Sequence, residues 1–163
     1  MGRYRPPQPK ASPYITREGY AALEIEVKEL WQRRAEVTKA LSAAAAEGDR
    51  SENAEYIYRK KELAGIDRRI RYLQKRMPDL TIVDRQPDNT EQVFFGAWVT
   101  LEDNAGDEKV YRIVGADEID GARENISLDS PMAKALLKRF LDDEIRVQTP
   151  HGVLNFVITD IRY

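Results

Sequence analysis

Four carboxylates fall within nine residues, Glu47, Asp49, Glu52 and Glu55, in the run AAAAEGDRSENAEY at positions 43–56. Two uses fit them. In the first, Asp49 caps a helix and Glu52 reaches back to its backbone N–H, a capping box whose acids also suit the helix dipole. In the second, Asp49 and Glu52 present open carboxylates to a hard cation. One or two carboxylates hold Mg²⁺ poorly unless other ligands fill its octahedron, so such a pair would complete a metal site owned by another molecule. Residue types alone leave both uses open. Asn caps helices about as well as Asp, so Asp49→Asn separates them.

The rest of the composition narrows the chemistry. The chain has 163 residues, no Cys and one His, which excludes thiolate catalysis, disulfides and multi-His or Cys-ligated metal sites. Metal chemistry must therefore use carboxylates and hard ions such as magnesium. No stretch approaches the ~18 apolar residues of a membrane span, and no apolar run follows the basic start, so neither a membrane partner nor a secretory signal is expected. A cytoplasmic setting fits. The charged share of 33% exceeds the usual ~25% and points to long solvated helices. The net charge of −2 hides a split: residues 1–78 carry 17 Lys/Arg against 11 Asp/Glu, and residues 79–163 carry 9 against 17. A basic half joined to an acidic half implies surfaces for different partners.

The elements that would position the acids can be read from periodicity. Residues 1–14 hold four of the eight prolines and three basic residues with no acid, and read as a flexible basic arm. From Thr16, a good N-cap, apolar residues recur at Tyr20, Leu23, Val27, Leu30, Val37, Leu41 and Ala44, a heptad seam with Arg34 in its one failing slot. A second seam follows Gly48 at Tyr56, Leu63, Ile66, Ile70, Leu73 and Met77, and Pro78 stops it. Two matched seams around a Gly fold back on each other, so residues 15–78 predict an antiparallel coiled coil about 40 Å long with an acidic tip. Gly65 weakens the second arm by about 1 kcal/mol relative to Ala.

Residues 79–163 switch to shorter runs at 80–83, 93–101, 109–114, 126–128, 145–149 and 153–161, and read as strands of an α+β domain. One helix interrupts them, capped by Ser130 with Pro131 in its first turn and Ala133, Leu136, Leu137 and Phe140 on its apolar face. His151 reads as a surface turn residue. Trp31, Trp98, Phe94 and Phe95 read as packing residues, and Asp142, Asp143 and Glu144 as a polar turn.

Residues 58–76 of the second arm carry Arg59, Lys60, Lys61, Arg68, Arg69, Arg71, Lys75 and Arg76 against Glu62 and Asp67 only, with Tyr58 and Tyr72 interleaved. A solvated coiled-coil exterior mixes signs more evenly. Such a run suits a surface that tracks phosphates, whose affinity falls with salt.

Four segments, at 48–56, 66–73, 93–99 and 127–137, resemble the bacterial Gre transcript-cleavage factors, the GreB branch more than GreA, and the likeness runs from about Tyr14 to Tyr163. The resemblance implies an N-terminal coiled coil that enters the secondary channel of RNA polymerase and a C-terminal FKBP-like domain that docks on the channel rim. By it, Asp49 and Glu52 act at the polymerase active site, sharing a catalytic Mg²⁺ and a water with it, and backtracked RNA is cut to give a new 3′ end. The chain itself would then be a monomeric accessory factor, not an enzyme, holding no cofactor alone. Ser51, Asn53 and Tyr56 would orient the tip or touch polymerase, and Ser130, Pro131 and Met132 would contribute to docking. Arg59, Lys60, Lys61, Arg68, Arg69, Arg71 and Lys75 would contact the extruded RNA 3′ segment, with DNA as a further nucleic-acid partner. The long N-terminal arm, the extra Glu47 and the Ala64-Gly65 pair depart from the family pattern; none touches Asp49 or Glu52. Rival readings are an inhibitor that enters the same channel, a prolyl isomerase built on the FKBP-like domain, and a plain nucleic-acid-binding coiled coil.

Overall fold

The computed structural model describes residues 4, 6–48, 53–119, 121 and 124–163. They form two compact units, residues 20–80 and residues 1–19 with 81–163. The class is α+β, a helical hairpin followed by a small domain with a mixed sheet.

The helical unit is built from α1 (Arg17–Ala46) and α2 (Ala54–Arg76), followed by a 3₁₀ turn at Met77–Asp79 that contains Pro78. The heptad seam is realised. Leu23, Val37 and Ala44 of α1 and Ile66, Ile70 and Leu73 of α2 are buried, and Leu30 and Leu63 flank the central cluster of Val37, Ile66 and Ile70. Each large aliphatic buried this way contributes about 1.5–3 kcal/mol.

Polar pairs fix the direction of the arms. Glu26 bonds Arg69 at 2.8 and 2.9 Å, Arg33 bonds Glu62 at 2.8 Å, and the Ala44 carbonyl accepts from Asn53 Nδ2 at 2.7 Å. As the α1 partner climbs from 26 to 44, the α2 partner falls from 69 to 53, which is an antiparallel register. Arg34, the residue that breaks the seam pattern, turns its Nε to Asp67 of the opposite arm at 2.7 Å. Burial pushes the Glu62 carboxyl up, but hydrogen bonds from Arg33 and Arg59 outweigh it and hold it below the usual carboxylate range.

The start of α2 differs from the expected capping box. Its N-cap is Asn53, whose Oδ1 accepts from Tyr56 N at 3.0 Å while its Nδ2 reaches the last turn of α1. One amide therefore caps one helix and bonds a last-turn carbonyl of the other, which also accepts from Glu47 N at 3.2 Å. Asp could do only the first.

In the second unit a five-stranded sheet runs in the order β5-β4-β3-β7-β6, from β3 (Trp98–Asp103), β4 (Glu108–Val114), β5 (Asn125–Ser127), β6 (Glu144–Thr149) and β7 (Gly152–Arg162). All pairs are antiparallel except β4–β5, and a register shift at Thr100/Leu101 bends β3 against β7. Alternate residues Val99 and Leu101, Ile145 and Val147, and Phe156 and Ile158 face one core, closed by Ala133 and Leu136 of α3 (Pro131–Leu136). Ser130 caps α3 as its sequence predicts, its hydroxyl accepting from Ala133 N at 3.2 Å. The helix is shorter than predicted. Lys138 takes a left-handed conformation at φ 68°, so Phe140 falls outside the helix and is half exposed.

Two further expectations are corrected here. The end of the supposed flexible arm is tied down: Ser12 N donates to Asp129 at 2.9 Å, and β1 (Tyr14–Ile15) pairs in parallel with β2 (Thr81–Ile82). Thr16 caps α1 through Gly19 N at 3.0 Å while its own N–H donates to Glu118 at 3.0 Å, and Glu118 also accepts from Gly115 N at 2.7 Å. Phe94 and Phe95 precede β3 instead of lying within it; Phe95 rests on the core and meets the Tyr14 ring at 6.4 Å. The Tyr163 hydroxyl braces this turn, accepting from Phe94 N at 2.8 Å and donating to the Gln92 carbonyl at 2.6 Å.

A Cβ placed on Gly65 meets only a terminal nitrogen of Arg68, at 3.7 Å. Gly65→Ala should therefore stabilise the chain by about 1 kcal/mol in urea unfolding followed by helix signal. Asn53→Ala should cost about 1 kcal/mol or more, since it removes both the cap and the cross-helix bond. Asn53→Asp keeps the cap and should fall between Ala and wild type in the same measurement.

Candidate functional site

Asp49, Arg50, Ser51 and Glu52 lie outside the described residues, so both acids expected to do the chemistry, and Ser51 with them, are framed only by their neighbours. On one side α1 ends at Ala46, Glu47 is exposed, and Gly48 adopts φ 133°, a conformation that side-chain-bearing residues avoid. On the other side stands Asn53. The cap of α2 is Asn53 itself, four residues after Asp49 in the sequence. The connecting segment 47–52 thus joins two helix ends that methyl groups keep slender, at residues 43–46 and 54. Glu55, the fourth acid, is drawn along its helix by Arg59 at 2.8 Å. Tyr56 is half buried, and its N–H serves the cap. Among the described residues no group of three or more His, Asp or Glu could hold a metal ion.

The basic run divides into two sets. Arg59 pairs with Glu55 and Glu62 and lies over the Tyr58 ring at 5.5 Å. Arg69 pairs with Glu26 and lies over Tyr72 at 5.4 Å. These two of the seven expected nucleic-acid contacts are committed within the hairpin, and Arg76 is half buried. Lys60, Lys61, Arg68, Arg71 and Lys75 are exposed and form no ion pair among the described residues. At 100° per residue all five fall within about 100° of arc, on a stripe about 22 Å long from Lys60 to Lys75. Glu55, Glu62 and Asp67 all lie outside that arc. The inner cations meet acids, and the outer ones face solvent as a single-sign strip.

The sequence already carried part of this division, since Glu55 and Glu62 stand four before and three after Arg59. The pairing of Arg69 with Glu26 needed the register of the two arms. Trp31, expected to pack, is instead 46% exposed, with the Arg34 guanidinium 5.8 Å from its ring centroid. Trp98 is half buried beside Arg112, at 5.0 Å. Of the residues expected to contribute to docking, Ser130 caps α3, Pro131 is exposed at its first turn, and Met132 packs partly against the core. Asp143 steadies the polar turn before β6, accepting from Phe140 N at 2.8 Å, and His151 is exposed in the turn before β7. No described helix is long and apolar enough to cross a membrane.

Comparison with known proteins places these features in one lineage. The family model described as transcription elongation factor, N-terminal, matches residues 13–82, and the one described as transcription elongation factor, GreA/GreB, C-term, matches residues 87–163. Transcription elongation factor GreB of Xanthomonas axonopodis pv. citri is 54% identical over 165 residues, covering 100% of this chain and 98% of that protein. GreB of Pasteurella multocida is 57% identical over 153 residues, covering 93% and 97%. The crystal structure of GreA factor homolog 1 from Thermus thermophilus is 27% identical, covers 92% of this chain and 98% of that one, and superposes with a TM-score of 0.41. With both halves matched and full-length relatives more than half identical, this chain belongs to the GreA/GreB family of transcription elongation factors.

Proposed function

We propose that this elongation factor acts in the cytoplasm as a non-enzymatic partner of RNA polymerase, enters its secondary channel and stimulates polymerase's own cleavage of backtracked RNA. One observation supports this above the others. The cap of α2 is filled by Asn53, so the structural use that competes for Asp49 is already taken. Asp49 and Glu52 fall in sequence between two helix ends narrowed by alanine, where a slender probe would carry acids into a confined site. Both are carboxylates, the donors that magnesium prefers, and two such ligands are too few to keep the ion without a partner's contribution. Mg²⁺ completed by them would polarise a phosphate and lower the pKa of a bound water. The chain's part is to deliver, orient and withdraw those carboxylates. Hydrolytic power would then stay low during ordinary elongation.

The stripe of Lys60, Lys61, Arg68, Arg71 and Lys75 would hold the phosphates of the extruded RNA 3′ segment. Arg59 and Arg69 would instead hold the hairpin together. The exposed first turn of α3 at Pro131 would contribute to the surface that docks on polymerase.

Asp49→Asn and Glu52→Gln should each abolish shortening of RNA in a stalled, backtracked complex while polymerase binding persists; full activity of either variant would refute the reading. Wild type without polymerase should shorten no RNA. Replacing Lys60, Arg68 and Arg71 with Ala should lower the slope of log affinity for single-stranded RNA against log salt by about 0.7 for each phosphate no longer neutralised. Arg69→Ala should leave that slope unchanged and reduce hairpin stability instead.

A further inference from the structure

We infer that the groove on the hairpin flank lined by Trp31, Arg34, Asp67, Ile70, Arg71 and Gln74 takes an unpaired base of single-stranded RNA, with Arg71 holding an adjoining phosphate. The inference rests on the proposal that this factor handles extruded RNA, and it names the contact that would add base stacking to charge attraction.

Trp31 leaves 46% of its surface in solvent although it lies on the arm that carries the buried seam. Arg34 lies over its ring and is bonded to Asp67, which fixes the indole's neighbour and neutralises the one acid of the groove. Gln74 is exposed and makes no hydrogen bond among the described residues, so its amide offers both a donor and an acceptor to a base edge. Arg71 belongs both to this groove and to the basic stripe, so a strand that follows the stripe reaches the indole without leaving the hairpin. The groove is a shallow, open depression of about 400 Å³, able to receive one face of a flat base rather than enclose it. Trp and Arg also serve protein contacts, so it is the continuity of this groove with the basic stripe through Arg71 that favours a polyanion. An aromatic ring set among cations is the composition of single-strand binders, in which stacking on an aromatic face supplements phosphate contacts.

The test uses the full chain. Trp98→Phe leaves Trp31 as the only tryptophan, since the chain has two. Titration with an unstructured single-stranded RNA of about a dozen nucleotides should quench its fluorescence, and the matching duplex should quench it far less. In otherwise wild-type protein, Trp31→Leu should weaken binding of the single strand roughly 5- to 100-fold at every salt concentration with the salt slope unchanged. Trp31→Phe, which keeps a smaller ring, should recover part of the loss. Arg71→Ala should lower the slope instead. Absence of quenching, or equal RNA affinity in Trp31→Leu with its helix signal intact, would overturn the inference. So would weakened polymerase binding with unchanged RNA affinity, which would assign Trp31 to a protein contact. Cleavage by stalled complexes reports on the factor's function separately: a wild-type chain that stimulates cleavage but fails the quenching test overturns this inference alone.

Discussion

A hairpin of two helices owns one narrow apolar seam, and everything this chain could present at its apex depends on that seam staying in register. Val37, Ile66 and Ile70 supply the centre, but aliphatic contacts of this kind slide at small cost. Register is specified by polar groups that bond at fixed positions across the two arms. Asn53 against the Ala44 carbonyl sets it at the tip, and Arg33 with Glu62 and Glu26 with Arg69 repeat it down the arms. These ion pairs are solvent-screened, so their contribution is to alignment more than to stability.

The same pairs decide which charges are left over. Acids of both arms neutralise Arg33, Arg34, Arg59 and Arg69, all at or beside the contact between helices. Among the described residues Lys60, Lys61, Arg68, Arg71 and Lys75 have no such neighbour, and they collect on one arc of α2. Segregating charge in this way gives one element two properties, a well-registered rod and a strip that attracts a polyanion. Asp49 and Glu52 lie in sequence between the two helices, and the cap of α2 is supplied by Asn53.

Much of this was legible from local signals. The two heptad seams, the Thr16 and Ser130 caps and the strands around Val99, Ile113, Val147 and Ile158 all emerge where periodicity and capping chemistry agree. What stayed hidden was non-local, or turned on competition between neighbours. Asp49 and Asn53 are both good caps, and only the geometry of the opposite helix, which offers a carbonyl to an amide donor, favours Asn53. Arg34 looked like a gap in the seam because its partner, Asp67, lies on the other arm. Residues 12–14 read as disordered because their partners, Asp129 and Thr81, are remote in sequence. Phe140 kept a helical spacing that the left-handed Lys138 interrupts. The exposure of Trp31 has no sequence signature, since it sits one residue from a true seam position.

The central claim is that the hairpin completes the coordination of a weakly held cation at a borrowed catalytic centre. The most direct measurement is the magnesium dependence of RNA shortening in backtracked polymerase complexes, with and without saturating factor. Supplying carboxylate ligands should shift half-maximal cleavage to clearly lower Mg²⁺ concentration. A factor that raised the maximal rate while leaving the half-saturating Mg²⁺ concentration unmoved would contradict the account.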